Sequence, residues 1–206
     1  MVETQLIPRS IKDKAVISAF LKVPREEFVP EEERSSSYGD HPLPIGHGQT
    51  ISQPYIVSLM VELLRLKKDA RVLEVGTGSG YQAAILAQIC ANVYSVESIE
   101  PLAEKAKEIL HGLGLDRIKI KVGDGSCGCS EHGPYDGIIV SCSSPSVPQC
   151  LKEQLSIGGR LVIPVGDKFS QMLIVVKRRD KGFMEEKACA CVFVPLIGKY
   201  GWSEND

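Results

Sequence analysis

The chain has 206 residues, 43% hydrophobic and 24% charged, with a formal net charge of -2. That length suits one large domain or two small ones, and the composition is that of an ordinary globular chain. The slightly acidic balance speaks against nucleic acid or an anionic membrane as main partner, no window reaches the ~18 apolar residues of a membrane span, and the N-terminus lacks the apolar core of a signal peptide.

Ile11, Ala15, Val16, Ala19, Phe20 and Val23 recur at helical spacing, so the sequence predicts an amphipathic helix over residues 10–22. VPREEFVP ends it with two prolines. EEERSSSYGD follows, then HPLPIGHGQTIS, which carries neither a strand nor a helix period. From Gln53 to Leu66 a helical pattern returns through Ile56, Val57, Met60, Leu63 and Leu64. Pro54 suits its first turn, where a missing N–H is harmless. Strands and helices then alternate. RVLEVG is a strand, residues 80–90 an almost wholly apolar helix, and NVYSVE a strand. Residues 100–111 form a helix that Gly112 and Gly114 stop. IKIKVGDG is a strand and loop, YDGIIVSC a strand, and Val147 to Leu155 a short helix. GGRLVIPVG, QMLIVVKRR and ACACVFVPL close the chain as strands, with Lys177-Arg178-Arg179 a solvated strand end. Alternation with near-continuous apolar strands predicts an α/β, Rossmann-like doubly wound sheet, mostly parallel, covered on both faces, with an antiparallel edge.

Seven cysteines include two C-x-C pairs, Cys127/Cys129 and Cys189/Cys191. Neither has the C-x-x-C or histidine spacing of a zinc site, so no metal is expected. Cys189 and Cys191 share one face of an apolar strand and read as small core hydrophobes. Free thiols imply a reducing, cytoplasmic setting.

Strand, glycine loop and helix make a nucleotide site at the carboxyl end of a sheet. Gly76, Gly78 and Gly80 form G-x-G-x-G, not the G-x-G-x-x-G of a dinucleotide site. Glu74 lies just ahead of them. A carboxylate there would oppose a pyrophosphate on the helix N-terminus. It would favour the ammonium and sulfonium of S-adenosylmethionine. Glu97 ends the next strand, about twenty residues on, where an acidic side chain accepts from ribose hydroxyls. Gly123-Asp124-Gly125 ends the third strand, where a carboxylate and a backbone N–H can meet an adenine edge. Each acidic residue alone is as readily a turn former or a surface charge. Together, at the ends of three consecutive strands, they read as one site. The expectation is one domain over residues 1–206, with an N-terminal extension and lid over 1–52 and a cofactor-binding core with C-terminal strands over 53–206.

The ordered set VPREEFVP, HPLPIGHGQTISQP, VLEVGTGSGYQAAILA, VYSVE, GDG, PYDGIIV, QLSIGGRLVIPVG and FVPLIG resembles the protein-L-isoaspartate O-methyltransferases over nearly the whole chain. The resemblance implies methyl transfer from S-adenosylmethionine to the α-carboxylate of L-isoaspartyl residues in damaged proteins and peptides. It implies that the lid residues Gln49, Thr50 and Ile51 cover the cofactor and that Ser52 meets the substrate carboxylate. Further cofactor contacts are implied at Glu74, Gly76, Gly78 and Ser79, and at Glu97, Ser98, Asp124 and Gly125. Val194, Pro195 and Leu196 would border the peptide's path. The partners implied are isoaspartyl-containing proteins and peptides, and the chain is expected to act as a monomer.

The residues themselves leave local alternatives open. Ser52 also suits the cap of the helix starting near Gln53. FVPLIG also suits an edge strand ended by proline. His47 reads as a loop residue, and no nucleophile elbow with triad partners is present. That absence fits a carboxylate acceptor, already ionised at neutral pH, which needs alignment and a hydrogen-bond donor rather than a base. Two segments depart from the family. SCSSPSVP carries hydroxyls and a thiol where relatives have mostly methyl groups, and Val192 stands where they often carry Arg. The other readings are a methyltransferase on another carboxylate and a cofactor-binding module without turnover. An NAD-dependent oxidoreductase is opposed by Glu74 and the glycine spacing.

Overall fold

The first helix, α1 (Lys14–Lys22), starts where Asp13 accepts hydrogen bonds from the N–H groups of Ala15 and Val16. That cap satisfies two orphan donors and sets the start later than residue 10. The computed structural model describes residues 1–203. Two short strands follow, β1 (Leu43–Gly46) and β2 (Gln49–Ile51), paired antiparallel with Leu43 opposite Ile51. The sequence reading gave this stretch no strand. Runs of four and three residues are too short to show a period of two. The turn joining them holds His47 and Gly48 at φ of 52° and 68°. Positive φ at both central positions is what a type I′ hairpin turn requires.

Helix α2 (Pro54–Leu64) ends at Arg65 in the left-handed region. Then come β3 (Arg71–Val75), α3 (Tyr81–Ile89), β4 (Asn92–Glu97), α4 (Glu100–Gly112), β5 (Lys119–Val122) and β6 (Tyr135–Val140). The chain closes with α5 (Gln149–Glu153), β7 (Leu155–Gly166), β8 (Gln171–Arg178) and β9 (Phe183–Cys191). The sheet order is β5-β4-β3-β6-β7-β8-β9. The first five of these run parallel, and β8 and β9 add antiparallel. This is the doubly wound α/β sheet with an antiparallel edge that the sequence predicts.

Side chains alternate between two cores, as a period of two demands. Val72, Ile139 and Val162 pack with residues of α1, α2 and α3. Leu73, Val75, Ile138, Val140 and Leu161 pack with Leu151 of α5 and with Leu196. Each fully buried aliphatic side chain contributes about 1.5–3 kcal/mol. No described helix is long and apolar enough to cross a membrane.

The end of the sheet departs from the sequence reading. The last strand lies over Phe183–Cys191, not over residues 188–196. Its first half, FMEEK, is a polar edge that hydrophobicity does not reveal. Beyond Cys191 the chain leaves β8 and runs to the loop after β6. There Ser143 N–H donates to Val194 O at 2.8 Å and Leu196 N–H donates to Ser143 O at 2.7 Å. Pro195 lacks the donor a continuing ladder would need. Arg178 is more than a solvated end. Its guanidinium donates to Glu153 O and Leu155 O, tying β8 to the end of α5.

Candidate active site

The chain turns back beside β3 after β5, so β3 lies between β4 and β6. A ligand crevice forms outside the carboxyl ends of strands at such a switch point. Here it holds a cavity of about 430 Å³, within the range of small-molecule sites. The glycine loop after β3 forms its floor, with Gly76, Gly78 and Gly80 at φ of 89°, 54° and 87°. Glycine adopts that region without the steric penalty of other residues. Across the cavity, Gly125 leaves no room for a side chain, since a Cβ there would sit 2.6 Å from Val75 Cγ1.

Most of the predicted contacts converge on this cavity. Gln49, Thr50, Ile51 and Ser52 form the lid side, facing Gly76, Gly78 and Ser79. Glu97, Ser98 and Gly125 complete the opposite wall. Glu97 is held by two backbone donors: Gly78 N–H to Oε2 at 2.8 Å and Ile99 N–H to Oε1 at 3.0 Å. Each carboxylate oxygen has two lone pairs, so both can still accept from a hydroxyl. The wall therefore fits the ribose of a nucleoside cofactor.

Three predicted residues are placed otherwise. Glu74 is fully buried beneath the loop and does not line the cavity. It accepts from Gln82 Nε2 at 3.1 Å and Ser95 Oγ at 2.6 Å. Burial pushes its carboxyl up to about 8, against the hydrogen bonds from Ser95 and Gln82 and with help from Glu97. Burial thus favours its neutral form, and Glu74 sits beneath the loop rather than on the cavity wall where the sequence reading set it against a sulfonium. Asp124 also lies outside the cavity lining. Burial works to raise its carboxyl, yet donors from Ser126, Lys199 and Cys127 hold it below the usual range. It accepts from Ser126 N–H at 2.8 Å and Lys199 N–H at 2.9 Å, fixing the C-terminal segment. Leu196, expected along the peptide's path, is buried and lines this cavity.

A second cavity of about 830 Å³ opens alongside, lined by Arg9, Tyr55, Lys168 and the Cys189–Phe193 stretch. Thr50, Ser52, Ser141, Val194 and Pro195 line both cavities and form the wall between them. Cys189 and Cys191 therefore border a cavity as well as packing against the core.

Ser52 does not cap α2. The N-cap is Gln53, and the carboxylate of Asp40 reaches the helix end, accepting from Tyr55 N–H at 3.3 Å and Gln53 Nε2 at 2.9 Å. Ser52 is instead held by its backbone. Arg25 Nη2 donates to Ser52 O at 2.9 Å while its Nε donates to Ser37 O at 2.7 Å. Arg25 is fully buried, with its guanidinium 4.8 Å from the Tyr81 ring centroid. Burial lowers its pKa from the ordinary 12.5. Gln82 donates at 2.7 Å to Ser141 Oγ, so a chain of contacts runs from Glu74 to the shared wall. Sequence reasoning missed Arg25, Asp40 and Gln82. Arg25 and Gln82 lie within VPREEFVP and VLEVGTGSGYQAAILA, but their partners are backbone groups or distant side chains, which those motifs do not reveal.

Fold and site together define an S-adenosylmethionine-dependent methyltransferase with a Rossmann-like core. Residues 1–201 match the family described as Protein-L-isoaspartate(D-aspartate) O-methyltransferase. The chain belongs to that family. A relative named Protein-L-isoaspartate O-methyltransferase, from Geobacter metallireducens, is 54% identical over 207 residues, covering 100% of this chain and 96% of the relative. A solved structure of the same name superposes with a TM-score of 0.88 at 32% identity, covering 98% of this chain and 67% of that one. A Plasmodium falciparum structure described as a protein-L-isoaspartate O-methyltransferase in complex with S-adenosyl-L-homocysteine gives 0.82 at 26% identity, covering 95% and 96%.

Proposed function

We propose that the two cavities divide the reaction between them, with Ser52 at the wall they share. The chain is a protein-L-isoaspartate O-methyltransferase that uses S-adenosylmethionine. The first cavity takes the cofactor, with Glu97 for its ribose and the lid residues 49–51 over it. The second takes the isoaspartyl peptide. S-adenosylmethionine supplies an electrophilic methyl group carried on a sulfonium.

The residues' own work follows from the acceptor's chemistry. The α-carboxylate is ionised at neutral pH, so no residue has to remove a proton. Ser52 Oγ–H donates to one carboxylate oxygen and leaves the other free to attack. Closing the lid strands β1 and β2 over the site excludes water, which otherwise solvates the nucleophile. Glu74 steadies Gln82, and Gln82 steadies Ser141 in the shared wall. Val194 and Pro195 give that wall its apolar part. The single-domain division at residue 52, a monomeric state, and peptide rather than nucleic-acid partners belong to this proposal. The net charge of -2 supports the last.

The observation that carries the reading is the position of Ser52, freed from capping and lining both cavities. The test uses two synthetic peptides that differ only in one isoaspartyl or aspartyl residue, with methyl-labelled cofactor. Base-labile methyl ester on the isoaspartyl peptide alone is expected. Equal labelling of both peptides, or of neither, would overturn the acceptor assignment.

A further inference from the structure

We propose that Cys129, Glu131 and His132 form a binding site for a zinc-class divalent cation, apart from the methyl-transfer site. The ligand atoms of these three side chains all lie within 4.8 Å of one another. Cys129 Sγ is 3.4 Å from Glu131 Oε1, and His132 Nε2 is 3.7 Å from the same oxygen. Zinc bonds of about 2.3 Å to sulfur and about 2.0–2.2 Å to nitrogen and oxygen, in a tetrahedron, separate the ligand atoms by about 3.4–3.6 Å. The edge from Cys129 to Glu131 already has that length, and the edge from His132 to Glu131 exceeds it by about 0.1 Å, a change within a side-chain adjustment.

The turn is built to hold its ligands. Cys129 is anchored at both backbone ends, its N–H donating to Gln154 Oε1 at 2.8 Å and its carbonyl accepting from the Tyr135 hydroxyl at 2.5 Å. The His132 ring lies stacked on Tyr94, 4.4 Å between centroids and 24° between planes. Such supports fix ligand orientation and strengthen a site. Glu131 and His132 both reach solvent, which leaves a fourth corner for water. Three protein ligands plus water is a common zinc arrangement.

A side-chain cation already pairs with one of the three groups. Lys121 Nζ sits 3.0 Å from Glu131 Oε1, and both side chains are half exposed. Exposed pairs of this kind contribute little, about 0–1 kcal/mol, so the ammonium is readily displaced. On binding, the Cys129 thiol releases its proton to solvent and coordinates as thiolate. The neutral imidazole of His132 gives a nitrogen lone pair, and Glu131 exchanges its ammonium partner for the metal. The C-x-C spacing hid this site, because the partners of Cys129 are the two residues beyond Ser130 and not Cys127.

The whole reduced chain is titrated with cobalt(II) as the spectroscopic stand-in for zinc. One bound equivalent with a thiolate-to-cobalt charge-transfer band in the near ultraviolet is expected. Cys129→Ser loses the band, and His132→Ala weakens binding about tenfold or more, as loss of a ligand costs at least what loss of its outer support does. The double change Cys127→Ser with Cys150→Ser keeps the band. Circular dichroism of each variant shows that the fold is retained. No band in the native chain overturns the site, as does a band that survives Cys129→Ser or is lost with Cys127 and Cys150.

Discussion

Ser52 and Glu74 show how much depends on where a side chain points. Ser52 Oγ is free for a ligand because Asp40, from a remote loop, takes over the end of α2. Ser52→Ala is expected to lower methyl transfer about ten- to a hundredfold, the loss of about 1.5–3 kcal/mol for one hydrogen bond to a charged group. Cofactor affinity, measured by calorimetry, stays near the native value. An unchanged rate would remove Ser52 from the reaction. Glu74 leads to a prediction in pH. Its carboxyl is raised from 4.5 to about 8 in the folded chain, chiefly by burial. The folded state then holds a proton that the unfolded state has lost. The stability tied to this proton is full below the unfolded value and is lost as pH rises from about 4.5 through about 8. Urea midpoints measured between pH 5 and 9 should fall in the native chain, and Glu74→Gln should flatten that part of the slope. An equal slope in both would mean that Glu74 is ionised when folded. The sequence marked both residues as functional, but not their orientation. Strand alternation assigns a face, and only the loop's backbone decides whether that face meets the cavity.

One buried guanidinium ties the link between the lid hairpin and α2 to the loop before the hairpin. Arg25 reaches Ser37 O and Ser52 O in two directions at once. A lysine keeps the charge but not that fork. Arg25→Lys is expected to destabilise the chain by about 1–3 kcal/mol, since at least one buried carbonyl loses its donor. The Michaelis constant for peptide should rise with it, because Ser52 loses its backbone anchor. Chemical denaturation and steady-state kinetics on the same variant check both, and native values would make Arg25 a bystander. The long elements were legible: GYQAAILAQIC and RVLEVG announce α3 and β3 by length and apolar run. The hairpin was not, because its signal lies in the φ angles of His47 and Gly48 rather than in hydrophobicity. The register of β9 was not, because an exposed edge has only one weakly apolar face.

Across the whole molecule, the alternation of strands and helices fixed the doubly wound class, and with it the crevice at the switch point. The antiparallel end and the path of the final segment depend on pairings far apart in sequence, such as Ser143 with Pro195, which no local pattern encodes. Cofactor binding should be felt by the entire fold. A ligand at a hundred times its dissociation constant adds about 2.7 kcal/mol of stability. For a chain of this size that is about 5–10 °C in melting temperature. S-adenosylhomocysteine is expected to give such a shift. Glu97→Ala, compared with its own ligand-free melting point, should lose most of it. A full shift in the variant would place the ribose elsewhere.

The wall between the cavities joins Thr50 and Ser52 to Val194 and Pro195, more than 140 residues further along the chain. The strands of the sheet are complete by Cys191, but the wall needs the segment beyond them. A chain clipped after Cys191 would keep every strand of the sheet and lose Val194 and Pro195, and with them the part of the wall that both cavities share.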